Sequence, residues 1–75
     1  MTVSFQYYSD NEDGRDDYRF SKESDALEKF ESLKEIIRIQ FIDCANAEVI
    51  DEPDFFGIID HQSGDWAKVV IMGER

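Results

Sequence analysis

The densest chemistry in the chain lies between Asp10 and Asp17, where five carboxylates (Asp10, Glu12, Asp13, Asp16 and Asp17) fall within eight residues. Clustered carboxylates can ligate a hard cation, share a proton, or present negative charge to a basic partner. Calcium makes the most specific demand. With Gly14 as the sixth-position glycine of an EF-hand-like loop, the loop starts at Ser9 and puts Asn11, Asp13 and Asp17 at ligand positions three, five and nine. Position one is then Ser9, and position twelve is Phe20 in place of a bidentate Glu, so two of the main charged ligands are missing. Calcium therefore ranks behind a solvated hairpin tip, which Asp13-Gly14 explains, and behind a surface aimed at basic residues.

Other reactive side chains are sparse. His61 stands beside Asp60 with Asp65 nearby, a thin set for a metal and more simply a surface histidine. Cys44 has no second cysteine to pair with and no base at a recognisable spacing, and reads as a small buried hydrophobe. No carboxylate pair is marked out by an apolar neighbourhood that would raise its pKa. The residues therefore ask for no cofactor, metal or catalytic machinery, and the chain reads as a non-enzymatic protein.

Charge points outward. The 75 residues carry 18 acids against 8 bases, a net −10, which makes nucleic acid and anionic membranes poor direct partners and basic protein surfaces good ones. From Ile39 to Ala67 there are seven acids and no Lys or Arg. No apolar run approaches the ~20 residues of a membrane span. The N-terminus has neither the basic start nor the apolar run of a signal peptide, and with one cysteine the expected location is a reducing cytoplasm.

The elements that position these residues follow from periodicity. Val3, Phe5 and Tyr7 alternate with polar residues as in a half-buried strand, and Asp-Tyr-Arg-Phe (17–20) reads as its partner. Asp13-Gly14 is a hairpin dipeptide; a turn there pairs Tyr7 with Phe20, Tyr8 with Arg19 and Asp10 with Asp17, a like-charge pair. Residues 21–46 read as one long helix, capped by Ser21 or Ser24 and ended by Asn46. Ala26, Leu27, Phe30, Leu33, Ile37, Phe41 and Cys44 share its apolar arc. Residues 36–42 are β-branched enough to read as strand instead. Ala-Glu-Val-Ile (47–50) is a short strand candidate, and two further strands flank Ser63-Gly64, with Phe56 facing Ile71 and Ile58 facing Val69.

The expected fold is one α+β domain: an antiparallel sheet of four strands from two hairpins, or five if Ala-Glu-Val-Ile joins, with one long amphipathic helix on one face, in the order ββα(β)ββ. One helix covers one face. Phe55, Ile59, Trp66, Val70 and Met72 fall on the other, and Ile36, Ile39 and Ile42 fall off the helix's core arc. Together they are more apolar surface than one small core needs, and read either as a strand in place of the helix end or a loop folded over the sheet, or as an interface with Trp66 the anchor of the contact. Glu28, Glu31 and Glu35 form an acidic row along the helix. Together with the acids of 10–17, that row suggests a phosphate-like array, and its sharpest reading is an inhibitor that mimics nucleic acid and occupies a basic nucleic-acid-binding groove. The rival reading is a homodimer whose acids serve only to solvate it.

Overall fold

The structure, a computed structural model, describes residues 1–73. The elements are β1 (Thr2–Ser9), β2 (Glu12–Arg19), α1 (Glu23–Gln40), β3 (Ala47–Glu52), β4 (Phe55–Asp60) and β5 (Trp66–Met72). All five strands form one antiparallel sheet in the order β2-β1-β5-β4-β3. The α+β class and the single helix packed on the sheet are as expected, and residues 47–52 supply the fifth strand.

The first hairpin turns three residues earlier than its Asp-Gly signal suggests. Asp10 and Asn11 both take the left-handed conformation, at φ 53° and 66°, the pattern of a two-residue type I′ turn, and the Tyr8 hydroxyl donates to Asn11 Oδ1 at 3.1 Å. Tyr7 therefore faces Gly14 rather than Phe20, Tyr8 faces Asp13 rather than Arg19, and Asp10 does not oppose Asp17. The strand that was expected only over 17–20 begins at Glu12, because the earlier turn pairs the full length of β1. Gly14 serves the strand instead of the turn. The Tyr7 ring crosses directly over it, so that a Cβ there would overlap the ring. The displacement is six residues. An even shift leaves every side chain on its face, so Val3, Phe5, Tyr7 and Tyr18 still share one side.

The second hairpin is displaced by two. Phe56 faces Val69 and Ile58 faces Ala67. The loop runs from His61 to Gly64, closed by Gly64 N–H donating to the Asp60 carbonyl at 2.8 Å, with Gly64 at φ 83°. A two-residue turn on Ser63-Gly64 would need a positive φ at Ser63, whether type I′ or II′, and Ser63 keeps a negative φ.

α1 ends at Gln40, six residues before Asn46, and Lys22 precedes it without a side-chain cap from Ser21 or Ser24. Glu23 and Asp25 in its first turn and Arg38 in its last suit the helix dipole. Residues 36–40 are helix, not strand. Beyond them Phe41 leaves helical geometry yet stays buried, and successive tight turns (Cys44 N–H to Phe41 O, Ala47 N–H to Cys44 O) carry the chain to the sheet edge. The core lies between the helix and one face of the sheet. Ala26, Phe30, Leu33 and Ile37 pack on Val3, Phe56, Ile58, Ala67, Val69 and Ile71. Leu27, at the margin of the apolar arc, is exposed, as are Ile36, Ile39 and Ile42, the last at 76%.

Lys34 is the one buried cation among the described residues. Its stem runs between the Phe30 and Phe56 rings, each 5.4 Å from Nζ, while Nζ meets Glu31 at 3.2 Å and Asp51 at 3.6 Å. Arg38 reaches the same Asp51 at 3.9 Å, so one carboxylate ties the outer strand β3 to the helix.

Candidate interaction surfaces

The strand register decides what the uncovered face of the sheet carries. Phe55 pairs with Val70 and Ile59 with Trp66, so these four side chains lie together on β4 and β5. Met72 follows at the corner, opposite Thr2, and is 42% exposed. The five apolar residues expected at a contact are thus on one face, which no other element among the described residues covers. Ile50 on β3 joins them, 43% exposed. Sequence reasoning left Ile50 out; the alternation of 47–52 was the available signal, but it needed the pairing of β3 with β4 to assign a face.

A shallow apolar recess of about 200 Å³ sits at the centre of this face. Gly57 forms its floor, and Ile50, Phe55, Ile59, Trp66 and the Lys68 stem form its walls. A Cβ at Gly57 would stand 3.1 Å from the Phe55 ring, so the glycine keeps the hollow open and lets that ring lie flat. Two larger hollows, about 340 Å³ beside Phe20, Asp25, Glu28 and Lys29 and about 320 Å³ beside Tyr7, Asp13, Arg15 and Trp66, mix charged and aromatic walls.

The acids expected to meet a partner do not converge. Asp10 is in the turn. Glu12 and Asp16 share the helix side of β2 with Tyr18, while Asp13 and Asp17 lie on the open side, opposite Tyr8 and Ser4. Glu28, Glu31 and Glu35 lie on the outer surface of α1, all exposed, and two are engaged: Glu31 with Lys34 at 3.2 Å and Glu35 with Arg38 at 3.5 Å. Asp17 is held below the usual carboxylate range by a hydrogen bond from Ser4 and by Arg15, 3.2 Å away.

The calcium positions fall along a hairpin instead of around a cation. Asn11 takes the Tyr8 hydroxyl, and Asp13 and Asp17 stand at separate steps of β2. Among the described residues no group of three or more His, Cys, Asp or Glu is placed to hold a metal ion. His61 Nε2 contacts Glu48 Oε1 at 2.9 Å, and Asp65 accepts from Ser9 at 3.3 Å. Asp60 accepts from the Gln62 backbone and the Ser63 hydroxyl, each at 3.0 Å, which lowers its pKa. Cys44 is half-buried; burial first, and then the charge of Asp60, raise its pKa and keep the thiol protonated.

Among the described residues no helix is long and apolar enough to cross a membrane. No protein-family model matches the chain, and no curated protein or solved structure matches it.

Proposed function

We propose that this chain is a non-enzymatic interaction protein that buries its open sheet face against a second protein surface, its own copy or another, while its surplus acid, carried largely on other surfaces, favours encounter with basic partners. One observation carries the reading: Phe55, Ile59, Trp66, Val70, Met72 and Ile50 lie together on a sheet face that no element among the described residues covers. Clustered apolar side chains on a small, highly charged domain mark a contact site, and a tryptophan beside a recess is a typical energetic centre. The single cysteine suits a reducing cytoplasm.

Mimicry of nucleic acid is the narrower form of the same proposal. It is supported by the charge of −10 and by the row of Glu28, Glu31 and Glu35. The eight acids are nevertheless divided between the turn, both sides of β2 and the back of α1, and the row spends part of its charge on Lys34 and Arg38. The sheet face therefore carries the function, and the acids modulate it.

The test is recovery of bound protein, self or other, on immobilised chain. Trp66→Asp is expected to reduce recovery more than tenfold, the loss of a ~2 kcal/mol centre, with far-UV circular dichroism unchanged. Recovery that falls as salt rises marks the acids as steering groups. Undiminished recovery by a folded Trp66→Asp chain removes the open face from the function.

A further inference from the structure

We propose that the occupant of the open face is a second copy of this chain, packed sheet against sheet about a two-fold axis that runs along β4. The inference rests on reading that face as the contact surface and names what covers it.

The strand register lays three rows across β5, β4 and β3: Val70–Phe55–Glu52, Lys68–Gly57–Ile50 and Trp66–Ile59–Glu48. Gly57 is the centre of the grid. The two outer columns carry opposite charge, offset by one row. β5 presents apolar, cation, apolar; β3 presents acid, apolar, acid. Lys68 is the only Lys or Arg between Arg38 and Gly73. It stands 5.5 Å over the Trp66 ring, and neither it nor Glu52 forms an ion pair among the described residues.

A two-fold along β4 turns the face over, keeps the rows in step and sets β5 of each copy over β3 of the other. Lys68 then meets the Ile50 step of the second copy. Glu48 and Glu52 of that copy stand two residues to either side, each roughly 7 Å along the strand. Face-packed sheets lie about 10 Å apart, a gap that a lysine from one side and a glutamate from the other can close together. The operation makes the contact twice, as an isologous interface requires. Phe55 and Ile59 of β4 meet their own counterparts, and the two Gly57 positions leave room between the sheets for the flanking rings.

Other occupants fit less well. A two-fold across the strands would set Lys68 on Lys68 and Glu48 on Glu52, placing like charges in a desolvated contact. A partner with a purely basic rim would suit Glu48 and Glu52 but would bring its charge against Lys68. The mixed signs of the grid match a surface carrying the same grid, reversed.

Charge reversal tests this without touching the core. The native chain, K68E and E48K/E52K are compared by sedimentation equilibrium, with circular dichroism confirming the fold of each. The native chain is expected to reach the mass of two protomers as concentration rises. Each variant alone opposes like charges at both contacts, and its dissociation constant should rise at least tenfold. An equimolar mixture of the two variants restores opposite charges at both contacts and should recover the two-protomer mass. A native chain that is monomeric at every concentration overturns the proposal, as does a native dimer whose two variants fail to associate when mixed. If the native chain is monomeric while Trp66→Asp still abolishes capture of a different protein, the second copy is ruled out and the contact surface stands. A native dimer indifferent to Trp66→Asp removes both.

Discussion

The two faces of the sheet carry similar apolar side chains to different ends. On the covered face, Phe56, Val69 and Ile58 lie under Phe30, Leu33 and Ile37, and Phe56 is 1% exposed. One residue away in sequence, Phe55 points to the open side and is only half-buried. Strand geometry makes these neighbours opposites, since consecutive side chains leave a strand in opposite directions. Hydrophobicity alone therefore does not say which apolar residues stabilise this fold. Position relative to the one helix does. The covered face holds the molecule together, and the open face leaves apolar surface in contact with water.

The largest expected effect sharpens that contrast. Phe56→Ala leaves a cavity under the helix and should cost about 3–5 kcal/mol in urea denaturation, a large share of what a domain of this size has to lose. Phe55→Ala should cost about 1 kcal/mol or less, because its ring is already partly in water. Equal costs for the two would mean that the faces are energetically alike, contrary to the structure.

A smaller effect is expected at Gly14, under the Tyr7 ring. Gly14→Ala requires that ring to swing away and should destabilise by about 1 kcal/mol, since overpacking is partly offset by the better strand propensity of alanine. In a Tyr7→Ser background the same change should be neutral or mildly stabilising. A double-mutant cycle reads the coupling directly. A cycle with no coupling would show that the glycine is not there for the ring.

The smallest effect concerns the loop between β4 and β5. The Asp60 carboxylate has a folded pKa below its ordinary value of 3.8, because the Gln62 N–H and the Ser63 hydroxyl favour the charged form. The stability this gives is present above pH 3.8 and is lost as pH falls through the lower folded value. Asp60→Asn should therefore flatten the acid limb of a stability–pH profile below about pH 4 and leave its shape at neutral pH unchanged. Asp17, lowered by Ser4 and Arg15, contributes to the same limb, so the flattening is partial. An identical limb in the Asp60→Asn chain would show that the loop hydrogen bonds do not distinguish the two protonation states.

Much of the architecture is legible in local pattern. The alternation of 2–8, the helical arc from Ala26 to Ile37 and the paired apolar runs around Ser63-Gly64 each name an element from a few adjacent residues. The turn positions are less legible. Asp13-Gly14 is a good hairpin signal in isolation, but Asp10-Asn11 can also adopt positive φ, and the choice depended on how much of β1 could be paired and on where Tyr7 needed a glycine. Because both registers have the same parity, the prediction of faces survived an error in the prediction of partners. The helix end was misplaced for a related reason: Phe41 stays in the core without helical geometry, so its apolar position was read correctly and its conformation was not.

The candidate surface divides in the same way. Phe55, Ile59, Trp66, Val70 and Met72 could be grouped from the period-two pattern of two strands alone, because that period is a property of the backbone and needs no distant partner. Ile50, Glu48 and Glu52 could not. Their place beside the recess depends on β3 pairing with β4, and the position of Lys68 opposite Gly57 depends on a loop two residues longer than its Ser-Gly signal implies. What the sequence determined by itself is the inventory: the acids, the single base among β3, β4 and β5, the alternation that splits each strand into two faces, and one helix too few to cover both. What only the tertiary structure decided is adjacency. Strand order and register are set by contacts between residues far apart in the chain, whose collective packing has no local signature. Those contacts are what place a lysine, a glycine and an isoleucine in one row across the sheet.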